Sequence, residues 1–377
     1  MEDRCFFALL PLLQNLQYQR LAFFFFQNKI VRHLTNSVRK WTVRKDTQSH
    51  DEKSAVFRDD RGTGVWIRRG IRRGVGFPRV AIPRACLRGS HRHPGTTSLV
   101  PGAAASQTPY GNNPSVGHTV QAGDAKIYYE IYGTPQTGTP VFVFHGGGVG
   151  APYELGTLID HLRPNHEVIV VSTRGHGRSE IGHSPITYEQ KGRDMLAVMH
   201  AVTRKPAMII GFSDGAYTAY EVAKLEPKAV DRIVAIGAGT LKPGYFKPGL
   251  KVSDLRKIDN AFVEQQLKLM PEPGRWQEFL TNYMNFWSRM SVGAETFKAV
   301  KAPVLLIVGD EDDHAPVITV LEAHQMLPNS RLCVVPKAWH TAFIDNFPVT
   351  WAAIHPFIIE ADHKALVSSK KLPYNNR

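Results

Sequence analysis

AMIIGFSDGAYTAYEVAKLEP, residues 207–227, decides how the chain folds. Six apolar or small residues, Ala207 to Phe212, read as a strand buried on both faces. From Asp214 onward the apolar residues recur at helical spacing, and Pro227 sets the end of that helix. Between them Gly211, Ser213 and Gly215 fit G-x-S-x-G, in which a serine stands clear of a sheet on a tight strand-to-helix turn. Glycine on either side removes the side chains that would collide where strand meets helix, and the new helix offers its N-terminal amides to negative charge. Ser213 is therefore the candidate nucleophile. Asp214, its neighbour, is an awkward companion for a reaction that builds negative charge.

Working outward, the same alternation continues. GHTVQAGDAKIYYEIYG predicts a hairpin about Gly123-Asp124. PVFVFHGGG, HEVIVVS, DRIVAIG, APVLLIVGD and SRLCVVP read as strands, separated by helical runs such as TYEQKGRDMLAVMHAV and PVITVLEAHQML, and VTWAAIHPFIIE closes the pattern as a helix. Apolar strands alternating with amphipathic helices predict an α/β domain over residues 106–377, with a mostly parallel sheet covered by helices on both faces. Residues 241–298 break the alternation with helix-like stretches between prolines, and read as an insertion.

A serine at its ordinary pKa needs a base, and the base needs an orienting acid. His340, in VVPKAWHTAF past the last strand, is the candidate base. His314 is a weaker rival, because it shares a loop with the acids. Asp310, Glu311, Asp312 and Asp313 in GDEDDHAP all compete for the acid role. The order serine, acid, histidine is the one expected of this arrangement. HGGG, residues 145–148, ends the strand before it. Backbone amides there can reach an oxyanion, and the donors are assigned to Gly147 and Asp214, each worth ~3 kcal/mol of barrier. His145 reads as a hydrogen-bonder beneath that loop, and His176 in RGHGRS as a loop residue.

With those motifs in order, residues 117–358 resemble the α/β-hydrolase fold family. HGGG is similar to its oxyanion loop, TRGHGRS to its R-G-x-G-x-S loop, and GFSDG to its nucleophile turn. The family's acid stands three residues after the glycine of the late strand, which from Gly309 implies Asp312, and its final histidine matches His340. Ser172 departs from the pattern, where many members have Asp; altered loop hydrogen bonding is expected, with the chemistry unchanged. Relatives with Asp at the nucleophile position, the dehalogenases and epoxide hydrolases, are excluded by Ser213.

In the family the insertion is a cap over the serine, and a short cap implies a small substrate. RWQEFLTNYMNFWSRM places Trp276, Phe279, Tyr283 and Trp287 at helical spacing. Such a stripe chiefly packs a cap onto its domain, and some of these four are expected to line an apolar pocket. Ser-Asp-Gly at the turn also resembles the biphenyl-hydrolase-like group that includes valacyclovir hydrolase. That resemblance implies that the Asp214 carboxylate meets the ammonium of a substrate; the alternative is a helix-start acid pointing away from the site. The expected activity is cleavage of a small carboxylic ester by a serine hydrolase, with no metal or organic cofactor. A C–C bond hydrolase, lactonase or aminopeptidase on the same triad, or a non-catalytic binding protein on this scaffold, are the other readings.

Composition narrows the partners. The chain of 377 residues carries a net charge of +13, but residues 1–105 hold 19 Lys and Arg against 7 acids, and the remainder 27 against 26. The basicity belongs to the first segment, so no nucleic-acid surface is expected on the main domain. Neither CFFALLPLL nor LAFFFF is long enough to span a membrane. Residues 61–105 hold nine arginines, no acid and no visible helical or strand period. The segment is read as a disordered extension or a part absent from the mature protein; its Arg-rich, acid-poor composition also resembles an organelle transit peptide, and AAAS before Gln107 the end of an export signal. Cys5, Cys86 and Cys333 offer neither a disulfide within the main domain nor a zinc spacing.

Overall fold

The structure, a computed structural model, describes residues 54–58, 64–68, 106–133 and 138–369. The chain divides into two units, Met1–Ala81 and Ile82–Arg377. In the first, β1 (Ser54–Arg58) pairs antiparallel with β2 (Gly64–Arg68), Val56 opposite Trp66. That ribbon corrects the reading of residues 61–105 as free of strand. Apart from it, the expectations about the first 105 residues lie outside the described residues.

The second unit contains an eight-stranded sheet. β3 (Gly117–Ala122) and β4 (Ala125–Tyr132) form the expected hairpin, with Gly123 at φ +59° in its turn. The chain continues through β5 (Val141–Phe144), α1 (Gly156–Leu162), β6 (Val168–Val171), α2 (Tyr188–Val202), β7 (Ala207–Phe212), α3 (Asp214–Leu225) and β8 (Val230–Ile236). Next come α4 (Val252–Ile258), α5 (Asn260–Leu269), α6 (Trp276–Arg289) and α7 (Ala294–Ala299). It ends with β9 (Val304–Gly309), α8 (Val317–Met326), β10 (Ser330–Val335), α9 (Ala342–Asp345) and α10 (Phe347–Ser369). In space the strands run β10-β9-β8-β7-β5-β6-β4-β3, and β4 alone opposes the others.

The apolar strands are explained by two cores. Along β5, Phe142 and Phe144 face the core shared with α2 and α3, while Val141 and Val143 face the core shared with α1 and α10. β6 and β7 divide their residues in the same way. Each face has period two, but both are buried, so the sequence shows continuous apolar runs. β4 is less regular than an alternating strand: Glu130 is fully buried and accepts from the Gly111 and Asn113 amides at 2.7 and 2.6 Å and from the Tyr128 and Tyr132 hydroxyls. A buried carboxylate with four donors is the satisfied form of a group that would otherwise be costly.

Strand order places the site. From β5 the chain first goes to β6 on one side and then returns to β7 on the other, so the carboxyl ends of β5 and β7 lie side by side at the switch point. The insertion follows β8. Its neck is a bridge between Leu241 and Val292, closed by two backbone bonds of 2.9 and 3.0 Å. The neck narrows the cap from the expected 241–298, because α7 lies beyond it. Phe297 on α7 is fully buried in the sheet's core with its ring 5.3 Å from that of Tyr220 on α3.

Candidate active site

Ser213 sits between β7 and α3 at φ 51°, ψ −117°, a conformation that costs a non-glycine residue on the order of 1–3 kcal/mol. Its amide donates to the Ile236 carbonyl at 2.7 Å, tying the turn to the end of β8. A Cβ at Gly211 would lie 2.6 Å from the backbone of Ala216, and one at Gly215 would strike the carbonyl oxygens of Phe144 and His145. Both glycines are therefore required by backbone-to-backbone approach, as the motif implies.

β9 and β10 bring the other two groups to the same end of the sheet. Ser213 Oγ lies 2.9 Å from His340 Nε2, and His340 Nδ1 lies 3.0 and 2.9 Å from the two oxygens of Asp312. Gly237, at φ +65°, keeps the floor open beneath the imidazole, since a Cβ there would come within 2.8 Å of His340 Cε1. The Asp312 side chain is fully buried, and its Oδ1 also accepts from the His314 and Ala315 amides at 2.9 and 2.7 Å. Burial pushes this carboxyl up, but His340 and the donated bonds outweigh it and hold the pKa below the usual carboxylate range. Asp310, Glu311 and Asp313 are exposed. His314 stacks on His340 with ring centroids 4.8 Å apart and does not take its place. Asp312, His314 and His340 have ligand atoms within 4.8 Å of one another, the one such group among the described residues, and two of the three are already bonded to each other.

Facing the serine, the loop after β5 comes against the start of α3. A Cβ at Gly147 would lie 2.9 Å from that of Asp214, 2.7 Å from the Tyr283 hydroxyl and 2.6 Å from the Trp287 ring. Among the described residues no backbone carbonyl takes the Gly147 or Asp214 amide. Beneath the loop, His145 is fully buried. The Thr173 amide donates to its Nε2 at 3.0 Å, so Nδ1 carries the proton and donates to the Gly146 carbonyl at 2.6 Å. Burial, then the neighbouring His176, lowers the His145 pKa well below the ordinary value and keeps the ring neutral.

Glu154 supports the loop from the other side, accepting the Gly146 amide at 2.6 Å. Burial pushes its pKa up to about 8 against the amide bond that lowers it. A carboxyl raised on folding binds a proton in the native state that the unfolded chain has lost, so stability falls as pH rises from the unfolded value, 4.5, to about 8. The cost by pH 8 is on the order of a few kcal/mol. Glu154→Gln is expected to raise Tm more at pH 8 than at pH 5, read by calorimetry; a pH-independent difference would remove this account.

Asp214 departs from both readings made for its side chain. It is 1% exposed and does not point away from the site, but the ammonium it meets is the chain's own. Its Oδ2 bonds Lys191 Nζ and the Tyr283 hydroxyl, which donates at 2.6 Å; its Oδ1 accepts from Trp287 Nε1 at 3.1 Å and the Tyr188 hydroxyl at 3.2 Å. Burial raises the carboxyl, yet the Lys191 charge and these donors hold its pKa below the ordinary value. Of the other pocket residues expected, Trp276 and Phe279 are buried in the cap's own core, Tyr283 bonds Asp214, and Trp287 lies partly exposed over Gly147.

Several residues of the site carry no local signal. Lys191 reads as a solvated position in a polar helix start, yet it is 5% exposed. His176 lies in the loop, as its motif reads, but it is buried there: it is 4% exposed, edge-on to Phe279 and Tyr283, and burial followed by the Lys191 charge lowers its pKa to about 4. Arg174 in the same loop binds Asp194 through Nε at 2.7 Å and Asp124 through Nη1 at 2.7 Å. Ser172 donates its amide to Tyr128 and leaves its buried hydroxyl without a partner, so the loop is held without an acid there.

The comparisons agree with this fold. The model of the alpha/beta hydrolase fold family matches residues 139–270, which include the HGGG loop and the serine turn. A putative 2-succinyl-6-hydroxy-2,4-cyclohexadiene-1-carboxylate synthase of Bacillus subtilis is 25% identical over 50% of this chain and 80% of its own. A 2-hydroxy-6-oxononadienedioate/2-hydroxy-6-oxononatrienedioate hydrolase of Cupriavidus pinatubonensis is 23% identical over 59% of this chain and 88% of its own. The crystal structure of a serine hydrolase involved in carbazole degradation superposes with a TM-score of 0.54 at 21% identity, over 65% of this chain and 98% of that one. The chain has the α/β-hydrolase fold and is a hydrolase, similar over residues 139–270 to the alpha/beta hydrolase fold family.

Proposed function

We propose that the enzyme cleaves a small, uncharged carboxylic ester through an acyl-enzyme on Ser213. The observation that carries this reading is the unbroken series of bonds from Asp312 through His340 to Ser213, opposite the Gly147 and Asp214 amides. His340 takes the hydroxyl proton as Ser213 Oγ attacks the carbonyl carbon, and the two amides hold the oxyanion. The proton passes to the leaving alcohol. Water, deprotonated by the same imidazole, then releases the acid. Lys191 already neutralises Asp214, so that carboxylate gives no preference for a substrate ammonium. Aminoacyl and unsubstituted esters of one alcohol are accordingly expected to react within about threefold of each other.

A C–C bond hydrolase is the second reading, favoured by the Cupriavidus relative, whose name specifies a 2-hydroxy-6-oxo dienedioate or trienedioate substrate. There the dienol would first tautomerise to its 2-oxo-3-ene form, a proton being added at C5, so that the same attack at C6 breaks the C5–C6 bond and C5 departs as a dienolate. The test is twofold. A fluorophosphonate should label the full chain at Ser213, and no labelling would end the serine reading. Hydrolysis of p-nitrophenyl acetate and of 2-hydroxy-6-oxohepta-2,4-dienoate is then compared, and a higher kcat/KM on the dienoate would replace the ester reading with the C–C one.

A further inference from the structure

Two helices aim paired side chains at one carboxylate. From α2 come Tyr188 and Lys191, three residues apart and so on one face; from the cap helix α6 come Tyr283 and Trp287, four apart and likewise aligned. Each Asp214 oxygen receives two of these donors, Oδ1 from Tyr188 and Trp287, Oδ2 from Lys191 and Tyr283. That fills all four acceptor positions of the group. The pair of charges is buried, and removing one partner alone would leave the other uncompensated.

Two of the four, Tyr283 and Trp287, touch both sides of the oxyanion site. Asp214 carries one donor amide on its own main chain, two bonds from the side chain that the cluster immobilises. Gly147 carries the other, and the Tyr283 hydroxyl and Trp287 ring occupy the space where its Cβ would be. The Trp287 ring also reaches Gly148, within 3.7 Å of its Cβ position. A cap helix whose role was only to cover the site would have no need to bond the residue after the nucleophile.

We infer that Tyr283, Trp287, Tyr188 and Lys191 are positioning residues, which set the Asp214 and Gly147 amides for the oxyanion and make cap seating a condition of transition-state stabilisation. The inference rests on the serine-hydrolase reading of the site. Donors preset in a dry, fixed geometry stabilise developing charge far more than mobile ones, so slackening this cluster acts on kcat and leaves ground-state binding of a small ester nearly unchanged.

The full chain, its active sites counted by fluorophosphonate titration, is assayed on p-nitrophenyl acetate. Affinity for 1,1,1-trifluoro-4-phenylbutan-2-one, whose serine adduct carries an oxyanion, is measured beside it. Tyr283→Phe is expected to lower kcat per titrated site about tenfold and to weaken the ketone by a similar factor, with KM changed less than about twofold. Tyr188→Phe, which loses a longer bond, should give the same pattern at about threefold. The neutral pair Lys191→Met with Asp214→Asn is expected to keep Tm close to that of the parent while kcat stays low. If Tm falls but kcat per site and ketone affinity remain within about twofold of the parent in both tyrosine variants, the cluster merely holds the fold and the inference is overturned. Should the parent itself take no fluorophosphonate, the serine reading falls, and the inference falls with it.

Discussion

Ser213→Ala is expected to lower kcat on an ester by a factor on the order of 10⁶ while the protein stays folded. The size follows from how much of the reaction passes through one oxygen. In the parent, Oγ lies 2.9 Å from His340 Nε2 at the head of a series of bonds, so its loss removes the nucleophile and leaves the base with nothing to deprotonate but water. The Gly147 and Asp214 amides would remain, and with them a rate still roughly 10³ to 10⁴ above the uncatalysed one. The measurement is steady-state hydrolysis of p-nitrophenyl acetate by a preparation shown to take no fluorophosphonate. A residual activity of a tenth or more of the parent's would show that acyl transfer does not pass through Ser213.

Asp312→Asn is expected to cost about 10⁴ in kcat with little change in KM, a larger effect than neutralising any other acid of its loop. The reason lies in which oxygen faces which partner. Oδ1 accepts the His314 and Ala315 amides, so in the Asn variant the carbonyl oxygen stays there and the NH₂ takes the place of Oδ2. At 2.9 Å from His340 Nδ1, that NH₂ donates where Asp312 accepted. The imidazole is then held with its proton on Nε2, facing Ser213, and cannot act as a base. Asn at 310 or 313, or Gln at 311, is expected to leave kcat within about twofold, since all three side chains are exposed. Kinetics on the four variants check this, and a loss at Asp310 or Asp313 as large as at Asp312 would reassign the acid.

The strongest sequence signals were those written in backbone geometry. The elbow needs glycine at 211 and 215 because main-chain atoms occupy the space of a Cβ, and that requirement leaves a pattern of fixed spacing. The sheet was equally legible, since strands buried between two helix layers become unbroken apolar runs. Chain order placed the acid loop and His340 after the serine. Among four adjacent acids, however, residue type alone could not distinguish the one turned inward. Resemblance pointed to Asp312, and its full burial and two amide donors give the physical reason.

What only the tertiary structure decided is the surroundings of Asp214. Its partners Lys191, Tyr283 and Trp287 stand 23, 69 and 73 residues from it in the chain, and each reads locally as an ordinary helix position. Likewise the loop position of His176 does not say that Phe279 and Tyr283 pack over it and bury it, and the Leu241–Val292 neck has no motif. Motifs record what a residue requires of its own backbone. Which side chain neutralises a buried charge depends on where two distant helices meet, and that meeting is set by packing over the whole sheet.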